Sequence, residues 1–570
     1  MRMKLCVPFL GALMLAVLSA CSSKMGELSS DYFTVTPQVL EADAGKVPAT
    51  INGKFPEKYF NKKAIVEVTP VLRWDGGEAR GEATTFQGEK VQGNDQTIYY
   101  KAGGNYTMPA SFDYVPEMAK SELYLEFDAK VGKKGKKVTI PAVKVADGVI
   151  ATSELVKNTL ANANPTNAED AFQRVIKQAK SANIMFLIQQ ANLRASELKS
   201  DSMKAFNQFV KDVNADQKGK LMENLEISAY ASPDGGLDLN DKLAAQRQKN
   251  TENYVNKQLK KDKIETNVDA KYTAQDWEGF QELVSKSNIQ DKDLILRVLS
   301  MYQDPEQREA EIKNTSSVYK NLADEILPQL RRARLTLNYQ LIGRSDDEIL
   351  EAFKSDPKVL NVEELLYAGT LVENDAEKEA IYKAAVQYYP SDYRAYNNLG
   401  ELAYKAGNYD QAESYFKTAL QKNASSAEAN TNLGLISLIK GDKAAAQAYL
   451  GKGAGAATLN EALGNYYISM GQYEQAVTSF GDVKTNSAAL AQILTKDYNR
   501  AKSTLDGVKN PDAYTAYLSA SLGARTNNAN MVITNLKAAV AKDSSLAQKA
   551  AKDLEFAKYA TNADFQSIVK

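Results

Sequence analysis

Histidine is absent from all 570 residues. Its absence removes the usual general base near neutral pH and the commonest nitrogen ligand for transition metals. Cysteine occurs twice, at Cys6 and Cys21, both near the N-terminus. Ser-His-Asp and Cys-His catalysis are thereby excluded, and so is a Cys/His zinc site or a structural disulfide in the body of the chain. Composition leaves carboxylate or lysine chemistry open, but no constellation for it stands out. The expectation is a protein that is not an enzyme and needs neither cofactor nor metal. An excess of positive charge is missing too: 70 Lys+Arg against 71 Asp+Glu give a formal net charge of -1. No nucleic-acid partner is therefore expected. The one dense basic run, Lys133, Lys134, Lys136 and Lys137 around Gly135, sits between strand-like segments and reads as a solvated hairpin tip. Long apolar runs are also lacking. The run over residues 7–20, behind Arg2 and Lys4, is too short to span a membrane and fits the core of a signal peptide.

What is present is ordinary for folded domains: 44% hydrophobic and 25% charged residues. A chain of this length has room for about three to five domains. Residues 31–150 read as β. The stretches 32–36, 64–74, 123–127 and 137–140 are rich in β-branched and aromatic residues, and Gly76, Gly77, Gly103, Gly104 and Gly132 supply turns. Short strands over about 120 residues suggest an immunoglobulin-like β-sandwich. Trp74 is a candidate core aromatic of it.

Residues 151–345 alternate strand and helix patterns. Residues 158–170 read as a linker opening into a helix, and 184–188 as a central strand. Residues 202–213 carry Met203, Phe206, Phe209 and Val210 at helical spacing. In residues 225–230, Leu225, Ile227 and Ala229 alternate with Glu226, Ser228 and Tyr230, the pattern of a half-buried strand. Turn residues from Ser232 to Gly236 break it. Asn240 or Asp241 can then cap a helix that carries Arg247 in its second turn. Residues 264–272 read as a further strand and 333–339 as a closing one. A helical, charge-rich insertion fills about 276–328. Loop groups, helix N–H groups and a guanidinium at residues 232–247 could converge on a ligand carboxylate. The same residues also fit an ordinary β-loop-α unit with a surface arginine.

This segment resembles the peptidoglycan-binding core of the OmpA-like domain. That family reads Gly-Tyr-Thr-Asp-x-x-Gly and then Asn-x-x-Leu-Ser-x-x-Arg-Ala. Here stand Ala229, Tyr230, Ala231, Ser232 and Gly235, then Asn240, Leu243, Ala244, Arg247 and Gln248. The resemblance implies an α+β fold and a site for the diaminopimelate of a peptidoglycan stem peptide. Arg247 would take its carboxylate, with Asn240 beside it. Ser232 replaces the aspartate that pairs with the ligand's amine, and Asp234 is the carboxylate two residues away. The opening at Asp276 and Trp277 and the close at Pro328, Leu330, Arg331 and Arg332 resemble the Bacteroidota branch of the family.

Residues 346–570 carry a helical repeat. Tyr396, Leu399, Gly400, Ala412, Phe416 and Ala419 form the best copy. Leu433, Gly434 and Ala446 follow 34 residues on, then Leu463, Gly464, Ala476 and Phe480 after a shortened spacing. Weaker copies place Tyr382, Ala385 and Pro390 before, and Ala501, Leu505 and the stretch 514–540 after. Small residues let paired helices approach, and large ones fill the gap. The pattern resembles the tetratricopeptide repeat, which implies an α-helical solenoid with a concave groove for a protein partner. Tyr396, Asn397, Asn430 and Tyr466 are candidates to line that groove.

The N-terminal Leu18, Ser19, Ala20 and Cys21 resemble a bacterial lipobox. That implies a signal peptide over 1–20, lipidation of Cys21 and a tether over 21–30. Ser22 and Ser23, by resemblance to Gram-negative lipoproteins, imply sorting to the outer membrane, facing the periplasm. The leading expectation is an adaptor: a membrane anchor, peptidoglycan bound by the OmpA-like domain, and an envelope protein bound by the repeats. The alternative is a scaffold of an outer-membrane secretion or assembly complex whose OmpA-like domain has lost its ligand.

Overall fold

The computed structural model of the protein describes residues 25–289, 292–314 and 316–570. The expected signal peptide and Cys21 lie outside the described residues. Two compact units emerge: residues up to Glu169 together with Asp375–Lys570, and Asp170–Asn374. The expected borders at 150/151 and 345/346 therefore differ from those observed. Residues 151–169 pack with the first unit, and residues 346–374 with the second.

In the first unit, Phe33–Thr36, Lys46–Phe55 and Gly104–Asp113 form a three-stranded sheet. The second sheet runs in the order Val39–Glu41, Lys136–Ile150, Ser121–Val131, Ala64–Trp74, Thr84–Gly88, Gln96–Ile98, with Gly77–Arg80 paired beside Ala64–Trp74. Lys46–Phe55, a strand beyond the stretches expected from the sequence, alternates cleanly, with Val47, Ala49, Ile51 and Phe55 turned inward. Side chains of both sheets join one buried cluster that includes Phe55, Val66, Phe86, Met108 and Leu125. Trp74 packs against its edge. The basic run lies at an exposed hairpin turn between Ser121–Val131 and Lys136–Ile150. Gly132 and Gly135 take positive φ there, a conformation that costs glycine little. Residues 25–30, expected as part of a tether, are tied down: Met25 and Leu28 are buried in the β core, and Tyr59 donates to the Gly26 carbonyl at 2.6 Å.

The helical part of this unit stacks antiparallel pairs. Tyr393–Lys405 pairs with Tyr409–Lys422, Ala427–Ile439 with Lys443–Leu450, and Leu459–Ser469 with Tyr473–Phe480. Asn486–Leu494 with Tyr498–Asp506 and Ala513–Arg525 with Ala529–Lys542 continue the series. The repeated glycines have a steric cause. A Cβ on Gly400 would sit 2.5 Å from the Phe416 ring, one on Gly434 2.5 Å from Leu450, and one on Gly464 2.6 Å from Phe480. Each large residue of an outer helix fills the notch left by the glycine of its partner.

Residues 158–170 do not open into a helix as expected; the next element is the strand Val175–Met185. After Val156–Thr159 and the 3-10 turn Leu160–Asn162, the chain is extended and without regular structure. Proline at 165, with Asn162, Asn164, Thr166 and Asn167 around it, disfavours a helix here despite the alanines between them. Leu155, Val156, Leu160 and Ala163 are instead buried in the core of the repeat array.

The second unit is built on a four-stranded sheet in the order Val175–Met185, Arg332–Ile342, Lys220–Tyr230, Asn267–Thr273. Only the Lys220–Tyr230 and Asn267–Thr273 pair is parallel. Asp201–Ala215 and Leu237–Asp262 bury Met203, Phe206, Val210, Val255 and Leu259 with Ile184, Ile227, Leu335 and Leu337 of the sheet. Residues 184–188 are not a central strand. Val175–Met185 is an edge strand paired only with Arg332–Ile342, and Leu187 and Ile188 beyond its end are exposed. The insertion forms helices from Trp277–Lys286 to Leu327–Leu330 with a core of its own, including Phe280, Val284, Leu299, Leu322 and Ile326. Asp346–Ser355 and Val362–Leu371 each start with a capping box. They are fixed to this unit by the Arg174–Asp346 ion pair, the Phe172–Tyr367 ring stack at 4.5 Å and Arg344–Glu364 at 2.9 Å.

Candidate functional site

The first candidate lies at the end of Lys220–Tyr230, where the chain turns through residues 231–236 into Leu237–Asp262. The helix begins at Leu237 with Gly236 as its N-cap, so neither Asn240 nor Asp241 is the cap. Asn240 lies in the first turn and is buried. Its amide donates back to the carbonyls of Ser232 at 3.0 Å and Gly235 at 2.8 Å, closing the loop. Arg247 falls in the third turn, not the second, because the helix starts earlier than its polar residues suggest. It belongs to the buried stripe Asn240, Ala244, Arg247, Thr251, Val255 and Leu259.

Arg247 is 1% exposed. Its Nε donates to Gln190 O at 2.9 Å, Nη1 to Tyr230 O at 2.8 Å and Nη2 to Leu187 O at 3.2 Å. The guanidinium carbon lies 4.9 Å from the centre of the Phe186 ring, a favourable place for a cation. Burial, with the charge of Arg331 adding to it and Asp234 opposing, pulls its pKa down to about 10. The group thus remains charged at neutral pH. It is held by carbonyls and a ring face, while the neighbouring carboxylates go to other arginines. Arg331 Nη2 meets Asp234 Oδ2 at 3.1 Å, and Arg331 Nε donates to Ser232 Oγ at 3.3 Å. Ser232 Oγ donates to the other oxygen of Asp234. Arg332 meets Asp276 at 2.9 Å and lies 4.7 Å over the Tyr230 ring.

The structure therefore brings Ser232, Asp234, Asn240 and Arg247 into one neighbourhood and adds Arg331, which the sequence reading placed only at the close of the insertion. The insertion roofs the loop. Pro233 and Asp234 share a cavity with Trp277, Phe280, Ile312, Tyr319 and Leu327 that holds only about 10 Å³ of free space. That is barely room for one water, against several hundred Å³ for an ordinary ligand pocket.

The second candidate is the concave side of the repeat array, and residues 160–168 of the same chain lie in it. Asn432 grips Thr166 at both ends of one peptide unit. Its Oδ1 accepts from Thr166 N at 2.7 Å and its Nδ2 donates to Thr166 O at 2.9 Å. Asn398 repeats the arrangement on Ala168, accepting from its N at 2.8 Å and donating to its O at 3.0 Å. Asn397 Nδ2 adds a bond to Thr166 O at 2.9 Å, and its Oδ1 accepts from Asn432 at 3.0 Å. Tyr404 donates to Leu160 O at 2.8 Å. Two carboxylates read side-chain amides. Glu461 accepts from Asn164 N at 3.2 Å and from Asn164 Nδ2 at 3.1 Å, and Glu401 accepts from Asn167 Nδ2. Burial pushes the Glu461 carboxyl up from its ordinary range, and the Asn164 bonds only partly offset it.

Of the four groove candidates, Asn397 is the one with a hydrogen bond to this segment among the described residues. Asn430 donates to Ser426 O in its own helix at 2.7 Å. Tyr466 is buried against Tyr467, and Tyr396 donates to Pro390 O at 3.4 Å. Asn398, Asn432, Glu401, Glu461 and Tyr404 were not singled out. A signal for two of them was present: the triplet Asn-Leu-Gly stands at 398–400 and again at 432–434, one repeat period apart. At three residues before the tight glycine stand Asn397, Thr431 and Glu461, so the groove face was readable by register.

Models of the tetratricopeptide repeat match residues 379–416, 397–457 and 457–484. The helical pairs within those residues are tetratricopeptide repeats. The array also has likenesses among solved structures. A tetratricopeptide repeat protein from Parabacteroides merdae ATCC 43184 shares 14% identity, over 39% of this chain and 89% of that one, at a TM-score of 0.28. The type IV pilus biogenesis factor PilW shares 16%, over 40% and 96%, at 0.25. The pilF protein of Pseudomonas aeruginosa shares 14%, over 39% and 98%, at 0.25. Scores this low carry no argument about shape or role. No curated protein matches the chain. Tetratricopeptide repeats serve protein–protein interaction, and a protein partner follows from their presence. Among the described residues no cluster of three or more Cys, Asp or Glu could hold a metal ion, and no helix is long and apolar enough to cross a membrane.

Proposed function

We propose that the protein is a non-enzymatic scaffold of the bacterial cell envelope, anchored through a lipid on Cys21 and working by protein–protein contact. The central unit is read as an OmpA-like domain that carries the family's loop and arginine without an open ligand site, and the N-terminal sheets as a sandwich-type spacer. The observation that carries this reading is the state of Arg247. A guanidinium that is to clamp a carboxylate must offer it a face. Here three of its N–H groups are taken by backbone carbonyls and the loop before it is roofed by the insertion. Ser232, where the family has aspartate, supports the same reading. So does Asp234, whose charge is already paired with Arg331.

A second reading, the peptidoglycan tether, is favoured by one specific feature. Among the described residues Arg247 forms no ion pair, Asp234 being paired with Arg331, and a diaminopimelate carboxylate would supply one. Co-sedimentation of the chain, starting after Cys21, with purified diaminopimelate-type peptidoglycan separates the two. The scaffold reading expects the chain to stay in the supernatant, while affinity capture from envelope extracts recovers stoichiometric protein partners and no muropeptide. Saturable co-sedimentation that free muropeptide competes away would overturn it in favour of the tether.

A further inference from the structure

The groove of a repeat array is where a partner peptide is expected, yet Asn397, Asn398, Asn432, Glu401, Glu461 and Tyr404 all hold residues 160–168 there. These bonds are of two kinds. Asn432, Asn398 and Asn397 hold the backbone of Thr166 and Ala168 and are indifferent to side chains. Glu461 and Glu401 hold the side-chain amides of Asn164 and Asn167, three residues apart. Leu155, Val156, Leu160 and Ala163 add apolar anchors in the array's core. The asparagines that do this are fully buried, at 0% exposure for Asn397 and Asn432 and 1% for Asn398. Buried amides demand partners, and here the extended segment supplies them.

We infer that the concave groove is a peptide-binding site whose ligand is the chain's own segment 160–168, held in cis and so closed to partner proteins. The ligand class the groove reads is an extended, uncharged stretch with asparagine amides three residues apart. Both side-chain readers are carboxylates, so an acidic residue at either position is rejected. Attachment to the same chain gives the segment an effective concentration of about millimolar. A free peptide at micromolar concentration cannot displace it, and a partner that binds this array does so outside the groove. The inference does not depend on the envelope reading and survives its failure.

The test uses the full chain after Cys21 and a fluorescent synthetic peptide of residues 158–170, followed by anisotropy. The double variant Asn164→Asp with Asn167→Asp sets a carboxylate against Glu461 and another against Glu401 with almost no change in shape, and so loosens the strap by like-charge repulsion. The expected result is no binding of the peptide by the parent at concentrations where the variant binds, a gap of about tenfold or more in apparent affinity. Thr166→Pro, which deletes the N–H that Asn432 accepts from, is the second variant and is expected to open the groove in the same sense; circular dichroism establishes that each variant is folded. Peptide binding by the parent as tight as by the variants would overturn the inference, since the groove would then be free. A folded Thr166→Pro chain that binds no peptide would overturn it as well, since the groove would not be a receptor for this segment.

Discussion

The two candidate sites make an instructive pair. Around Arg247 and along the repeat groove, buried polar side chains stand where a ligand is expected, and in both places Arg247 and the asparagines hold the chain's own backbone. The difference is where that backbone comes from. Arg247 is spent on carbonyls of the strand ends and loops of its own fold, Leu187, Gln190 and Tyr230. Those bonds are part of the scaffold and cannot be given up without loosening it. The asparagines of the array are spent on a segment some 230 to 270 residues earlier in the chain, which lies across a surface otherwise complete. A strap of that kind is a ligand in all but covalent connection. A polar motif therefore identifies a binding surface without telling whether that surface is free.

The sharpest way to break the comparison is to remove the polar group at each site. Arg247→Ala removes three hydrogen bonds to backbone carbonyls, the contact with the Phe186 ring and the volume of a buried side chain beneath the loop. It is expected to cost the second unit about 3–5 kcal/mol, read from urea unfolding. A loss under about 1 kcal/mol would mean that the arginine is held loosely and free to serve a ligand. In the groove, Asn432→Ala removes both strap bonds to Thr166 and the link to Asn397. The expected loss is about 2–3 kcal/mol from the first unit. The neighbouring Asn430→Ala removes one bond within its own helix and is expected to cost about 1 kcal/mol. Equal losses at the two asparagines would deny the strap any special part.

Within the array, the packing that shapes the groove can be tested at Gly434. The Cβ of Gly434→Ala would press on Leu450 at 2.5 Å, and the expected cost is about 1–3 kcal/mol. Loss of the notch should also lower the cooperativity of unfolding.

The smallest effect concerns pH. Burial raises the carboxyl of Glu461 above its ordinary range, and it raises Asp553 likewise. At these two groups the folded chain then binds more protons than the unfolded chain between the ordinary carboxylate range and the raised values. Stability is fully present below that window and falls as pH rises through it. Glu461→Gln keeps an acceptor for Asn164 and removes one of these titrations. The slope of stability against pH in mildly acidic solution should flatten but not vanish, since Asp553 remains. An unchanged slope would mean that Glu461 is hydrated and outside the groove's interior.

Much of this was legible in the sequence, and the failures have particular causes. The strand–loop–helix unit, the amphipathic helix with Met203 and Phe206, the helical insertion and the small-to-large pairing of the repeats all rest on periodicity, which is local. The strap was read as a linker because its residues are polar and carry proline, and their partners lie hundreds of residues away. Asn240 was read as a cap because asparagine favours that place, whereas the loop needed its amide one turn further on. For Arg247 the sequence offers a ligand clamp or a surface side chain, and the structure makes it neither exposed nor open, at 1% exposure. Only the fold supplies the three carbonyls and the Phe186 ring that make its burial tolerable.

The most direct test of the account is hydrogen exchange at single-residue resolution in the intact chain, read at the amides of Thr166 and Ala168. Both are donors to groove asparagines, at 2.7 Å and 2.8 Å, in a segment with no helix or strand to protect it. The account predicts slowing by about a thousandfold or more relative to an unstructured peptide, equivalent to an opening free energy of about 4 kcal/mol. It also predicts that this protection collapses in Asn432→Ala at Thr166 before it does at Ala168. Exchange of both amides at the rate of a free peptide would contradict it, for the strap would then lie outside the groove and the array would stand open to partners.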